Sequence, residues 1–440
     1  MRYADLILIN ADRNNNRSCV MKQISDTIFV SEIKRVDDKG RAYPRKFPMT
    51  VWDSYYADKL KEGYIDRNAD NSLSTRLVKT TSLAGNWQNY KPIEDKKVRC
   101  FWEFLLEESQ KALHENYDIE AEKVSAEMIQ QAKKKIEQIS LIAASDVFTN
   151  DDIRECNALL TDLFILIPRK MAVVSDCLIT NTDDVDDPHY IGNVLTREED
   201  LLAAMDVNRI MKHNIATSEL THPESLGIHI QPHSRERERA VKEMMGNESY
   251  LYSMGFTVCN DRTRRLFDAY CQKSKIKTGH PVPPTQVQHM HHIDRSVIQV
   301  YHGTANINGL SLLAQGFKRH ANAKITGRLF GDGGYGALQL LKSLGYCDIM
   351  GSFWRHGRSD KGIMFLYNVA VTQAKHLTRH SSGGVRHYTA ENISPYDTVY
   401  AHRGYNMGYS NLRNDEIIAY RPDEGQMDVS DVIFLKGSLR

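Results

Sequence analysis

Apolar and polar residues alternate in short runs near the start of the chain. "SCVMKQI" and "TIFVSEI" step between the two at the period of a half-buried strand, and "DDKG" follows as a turn. Next, "TVWDSYYADKLKEGY" sets Trp52, Tyr55, Tyr56 and Leu60 near helical spacing. Residues 68–96 are polar and weakly periodic, and read as a linker. From about 97 to 213 apolar residues recur at three and four. "VRCFWEFLLEESQKAL", "SAEMIQQAKKKIEQISLIAA", "TNDDIRECNALLTDLFILI" and "LTREEDLLAAMDVNRIM" each predict an amphipathic helix, and such helices in series imply a bundle. Thr149 and Thr196 stand where N-caps would, each with acids in the next turn. "TNTDDVDDPHY" reads as an acidic loop, and residues 214–246 as polar and partly irregular. From about 247 the period moves toward two. "MGFTVCNDRTRRLFDAY", "SVIQVYHGT", "KGIMFLYNVAV", "DTVYAHRG" and "DEIIAYRP" predict a region dominated by antiparallel strands with glycine-rich turns.

Composition narrows the picture without redirecting it. The 440 residues are 41% hydrophobic and 26% charged, as in ordinary globular proteins with room for several cores. A net charge of +1 carries no global signature of nucleic-acid or membrane binding. No segment approaches the ~20 apolar residues of a membrane span, and the start does not read as a secretory signal. The 7 cysteines are scattered without a C-x-x-C pair, which argues against a disulfide scaffold and a cysteine zinc site. The expectation is a reduced, intracellular protein, nuclear in a eukaryote and cytoplasmic in a prokaryote or phage host.

The most conspicuous chemistry lies in "TGRLFGDGGYGALQLLKSLGYC", where Gly331, Gly333 and Gly336 spell G-x-G-x-x-G ahead of a helix-like leucine pattern. A dinucleotide loop of that kind leaves a buried strand and is followed by an acid about 20 residues on. Here the preceding "HANAKITGRLF" is polar and broken, and the surroundings are rich in β-formers rather than alternating α and β. That reading fails. Other residues nearby make a better set: His302-Gly303-Thr304 at the end of an apolar run, Tyr335, Lys342-Ser343, Tyr346, and Asp415-Glu416-Ile417 opening a further strand.

These blocks, in this order, resemble the catalytic domain of the poly(ADP-ribose) polymerases, whose pattern is H-G-[ST], T-G-x-x-F-G-x-G-x-Y, x-K-S-x-x-Y and a glutamate-bearing strand. The counterparts are His302-Gly303-Thr304, Thr326-Gly327 through Gly331 to Tyr335, Lys342-Ser343 with Tyr346, and Asp415-Glu416-Ile417. Upstream, "FILIPRKM" resembles a turn of the family's helical regulatory domain. "FPMTVWDSYYADKLKEGY" is similar to the closing helix of a WGR domain, although Ile33-Lys34-Arg35-Val36-Asp37 stands where W-G-R-V-G is usual. The resemblance implies an α+β multidomain chain. Residues 1–67 would form a small β-rich WGR-like domain, 68–96 a linker, 97–235 an all-α helical regulatory bundle, and 236–440 an α+β ADP-ribosyltransferase domain of two packed antiparallel sheets.

It also implies NAD as ADP-ribose donor, with no metal, and a catalytic set of Glu416, His302 and Tyr335. His302 would meet the adenosine ribose, while Gly303 and Ser343 hold the carboxamide. Tyr335 and Tyr346 would sandwich the nicotinamide, with Gly331 shaping the turn before Tyr335. Thr304 and Asn308 would contact the adenosine half, and Lys342 would border the acceptor region. Arg328 and Gly336 replace bulkier residues of the family's donor-loop region, which would alter its cover over NAD. The implied partners are DNA ends or nicks and acceptor proteins, the chain itself included, with no membrane. In the family the helical domain restrains the catalytic one, so deleting about residues 97–213 would raise basal activity.

Two features stay open on residues alone. Between Lys34 and Lys46 six basic residues face two acids, either a solvated edge or a phosphate-contacting patch built on Lys34, Arg35 and Arg41 with Trp52. "QHMHHID" carries His289, His291 and His292 without cysteine partners, and reads as an exposed loop rather than a zinc site. For activity the reading is chain-elongating transfer to protein or nucleic-acid acceptors. The alternatives are single additions, or a silent DNA-binding module.

Overall fold

The computed structural model describes residues 1–36, 42–67, 89–143, 148–184, 186–214, 219–318, 329–384 and 387–439. Arg41, the Thr326–Arg328 segment and most of the 68–96 linker lie outside them. Two compact units share the chain, one comprising Met1–Ala84 with Gln110–His213, the other Gly85–Ser109 with Asn214–Arg440.

The first unit begins with strands β1 (Tyr3–Asn10), β2 (Asn15–Gln23), β3 (Ile28–Arg35) and β4 (Tyr43–Pro48), helix α1 (Trp52–Lys61) and the short β5 (Ile65–Asp66). They form an antiparallel sheet in the order β4-β3-β2-β1-β5. The alternation read from sequence works here as expected. Leu6, Cys19, Met21 and Phe29 point inward, where α1 covers them with Trp52. Trp52 is only 3% exposed and packs edge-on to Phe29, with ring centroids 4.9 Å apart. Its assignment as a DNA contact is therefore corrected: it is a core residue.

Helix α2 (Lys96–Asn116) starts in the second unit and ends in the first. After it, α3 (Ala126–Ala143), α4 (Asn150–Leu166) and α5 (Ile191–His213) fill the stretch with helical periodicity. Thr149 caps α4 in a reciprocal box with Asp152, as its spacing predicts. Thr196 does not cap anything. It sits inside α5, because the turn at Asp187–Tyr190 already starts that helix at Ile191. Past Pro168 the chain turns Arg169 inward onto the buried Glu198, with further bonds to Asn116.

The second unit continues with α6 (His222–Ser225), β6 (Ile228–Pro232), α7 (Arg235–Met245), β7 (Tyr252–Asn260), α8 (Asp261–Lys273), α9 (Pro284–Val287) and β8 (Ser296–Gly303). Then come α10 (Gly309–Gln315), β9 (Gly334–Ala337), α11 (Leu340–Leu344), β10 (Lys361–Val371), β11 (Ala374–Leu377), β12 (Thr398–Ala401), β13 (Glu416–Ala419) and β14 (Met427–Lys436). "DRTRRLFDAY" is thus helix α8, capped by the Asn260 side chain, and not a strand.

Two packed sheets were expected in this region. Among the described residues a single nine-stranded ladder runs instead, β11-β12-β13-β9-β8-β10-β14-β7-β6. Its two halves meet through one pair only, Tyr301↔Ala337, between β8 and β9. All contacts are antiparallel except β11 with β12. Phe101 and Phe104 of α2 pack on Phe256 and Phe434, so the first turns of that helix complete this unit's core. No helix among the described residues is long and apolar enough to cross a membrane.

Candidate active site

The junction between the half-sheets brings the sequence blocks together. β8, β9 and β13 are neighbours, and Tyr301, Ala337 and Glu416 lie in one row across them. At ~4.8 Å per strand the row spans about 10 Å. His302 follows Tyr301, Tyr335 stands two residues before Ala337, and Glu416 opens β13.

His302 is half-buried, and its Nδ1 lies 3.0 Å from the Tyr335 carbonyl. A carbonyl can only accept, so Nδ1 carries the proton and Nε2 is the acceptor nitrogen. Phe317 and Tyr367 fix the ring edge-on, with centroids at 4.9 and 5.8 Å. Neither residue was expected from sequence, since each is an apolar position in an ordinary-looking run.

Tyr335 holds the turn before it. Its hydroxyl donates to Gly331 O at 3.1 Å and accepts from Phe330 N at 3.0 Å, while Tyr420 donates to Phe330 O. Gly331 has φ +92°, and a Cβ there would come within 2.1 Å of the Tyr388 carbonyl. Gly336, in the formal glycine motif, is not the mouth of a helix but part of strand β9. The helix that follows, α11, is only five residues long.

At the end of β8 the backbone passes very close to α11. A Cβ on Gly303 would sit 1.7 Å from the Ser343 carbonyl oxygen. The Ser343 hydroxyl, 3% exposed, donates to Tyr301 O at 3.0 Å. Thr304 is buried and accepts from Asn308 Nδ2 at 3.1 Å, which ties those two residues together. Tyr346 is 40% exposed and stacks on Trp354 at 6.1 Å.

Lys342 reaches across to the buried Glu416, whose Oε1 its ammonium contacts directly. Burial pushes the Lys342 ammonium down to about 8. Next to Glu416, Asp415 exchanges hydrogen bonds with Gln339, at 2.6 Å from the amide and 2.8 Å to its oxygen. That clamp fixes β13 against the start of α11. The site therefore offers a buried carboxyl group in contact with a lysine, an imidazole, two aromatic rings and a close-approach backbone edge.

Lys34 and Arg35, read from sequence as DNA contacts, are otherwise engaged. Lys34 pairs with Asp118 at 2.6 Å, and Arg35 donates to Asn14 O and Ala172 O. Arg45 and Lys46, on β4, are exposed. His289, His291 and His292 are exposed as expected, and His376 and His402, 2.8 Å apart, lie in the same neighbourhood.

The chain was compared with known protein families and curated proteins. The family model of the poly(ADP-ribose) polymerase catalytic domain matches residues 260–394. "Uncharacterized protein 101L" of Invertebrate iridescent virus 6 is 26% identical over 214 residues, covering 49% of this chain and 80% of the relative. Residues 260–394 are thus similar to the poly(ADP-ribose) polymerase catalytic domain.

Proposed function

We propose that the protein transfers ADP-ribose from NAD to protein or nucleic-acid acceptors, releases nicotinamide and elongates the product into chains. The observation that supports this reading is that β8, β9 and β13 are neighbours, with His302 Nδ1 3.0 Å from the Tyr335 carbonyl and Glu416 paired with Ala337 of the same strand as Tyr335. Displacement at the anomeric carbon of the nicotinamide ribose develops oxocarbenium character. A carboxylate at that ribose stabilises the growing positive charge and takes the proton of an attacking hydroxyl. Glu416 performs both tasks, and Lys342 keeps it ionised and oriented. His302 Nε2 accepts from a ribose hydroxyl. The half-buried backbone of Gly303 and the Ser343 hydroxyl serve the carboxamide, while Tyr335 and Tyr346 face the nicotinamide ring. Thr304 and Asn308 serve the adenosine half.

In this reading the first unit is WGR-like and carries a regulatory bundle, and DNA ends or nicks stimulate transfer. Support comes from the five-stranded sheet with its covering helix, and from exposed Arg45 and Lys46 beside the engaged Lys34 and Arg35. The test is incubation with labelled NAD, with and without nicked or blunt DNA, followed by product sizing. Wild type is expected to give ladders and Glu416→Gln none, with nicotinamide release lowered at least about 100-fold. Unchanged polymer length in the variant would sink the assignment, and single additions by wild type would replace elongation by mono-transfer.

A further inference from the structure

The segment from Met350 to Ser359, "MGSFWRHGRS", forms a loop beside the candidate site that the transfer chemistry does not use. It follows α11, and its Trp354 stacks on Tyr346. Phe353 meets Trp354 edge-on at 4.6 Å, and these rings are 67% and 58% exposed. Three contiguous aromatic rings facing water are costly at roughly 25 cal/mol per Å² of apolar surface, so such a patch marks a binding surface.

The loop is built to hold the rings out. Trp354 N and Arg355 N both donate to Gly345 O, Gly357 N donates to Ser352 Oγ, and Met350 N donates to Ser359 O. Gly345 approaches Trp354 so closely that a Cβ would lie 2.9 Å from its ring. Within Met350–Ser359 stand Arg355, His356 and Arg358 and no acid. Arg355 pairs with Asp348, whereas Arg358 is exposed and makes no ion pair among the described residues.

Exposed rings interleaved with cations suit one partner class: a strand whose bases stack while its phosphates are neutralised. We propose that the Met350–Ser359 loop docks single-stranded nucleic acid next to the candidate site. Bases stack on Phe353 and Trp354, and Arg358 contacts phosphate. A duplex keeps its base faces covered and uses the cations alone. That the strand serves the transferase site rests on the function proposed above; the docking does not.

The test measures anisotropy of a labelled thymidine or uridine strand of about 12 nucleotides, binding to the full chain. The same length of blunt duplex and an acidic peptide of equal charge serve as comparisons. Wild type is expected to bind the single strands more tightly than either comparison, with affinity falling as salt rises. Phe353→Ala combined with Arg358→Ala is expected to weaken strand binding at least about tenfold, without change in melting temperature or in nicotinamide release. Equal binding by the variant, or wild-type preference for the peptide or duplex, overturns the proposal. Nicotinamide release without strand binding defeats the docking alone. Strand binding without nicotinamide release defeats the transferase reading alone.

Discussion

Lys342 shows what a single buried charge does at this site. Its contact with Glu416 links residues 74 apart in sequence, so motif reading names both but does not pair them. With its folded-state proton affinity lowered to about 8, the burial penalty weighs fully on stability below that pH. It is relieved as pH rises from 8 toward the ordinary lysine value near ~10.4. Activity runs the other way, because loss of the ammonium frees Glu416 from its partner. Nicotinamide release is expected to fall as pH climbs through about 8, and Lys342→Met to show a low rate without that limb; a profile unchanged by the substitution would contradict the role. Residue types that carry chemistry were legible in one dimension. Trp52 was not, because its burial depends on Phe29 of strand β3 and on Arg2 lying over its ring at 4.8 Å.

At the scale of elements, periodicity located the long helices well and the short strands poorly. Each of α2 to α5 has enough turns for its apolar stripe to repeat. Strand β9 has four residues and α11 five, too few for any period to register, whereas "DEIIAYRP" did mark the equally short β13. The leucine pattern after Gly336 did mark a helix, α11, which starts at Leu340, carries Ser343 and is only five residues long. The inward turn after α4 makes a sharper claim. Arg169 and Glu198 are 3% and 0% exposed, and without Arg169 the buried Glu198 keeps, among the described residues, the part-exposed Arg197 at 3.3 Å as its ionic partner. Arg169→Met is expected to destabilise the first unit by about 3–5 kcal/mol, read as a lower midpoint in urea; replacing both residues by apolar ones should recover much of that loss. A change below ~1 kcal/mol would mean that the pair contributes little.

For the whole molecule, the order of the motifs disclosed the catalytic region, while the interleaving of the units stayed hidden. Nothing local marks Phe101 and Phe104 as core residues of a unit whose remaining chain starts at Asn214. This changes how the proposed restraint by the helical segment should be tested. A deletion of 97–213 removes those two rings from Phe256 and Phe434, and is expected to yield unstable, inactive protein. Replacing only residues 110–213 by a flexible linker keeps them, and basal nicotinamide release is then expected to rise; equal release by intact and shortened proteins would refute the restraint. The last strand has a different consequence. β14 lies between β10 and β7 and hydrogen-bonds to both, so β7 and β6 stay apart from the rest of the sheet until Met427–Lys436 has left the ribosome. The candidate-site strands β8, β9 and β13 all precede β14, so a nascent chain can hold every residue of that site while β7 and β6 still lack the strand that joins them to it.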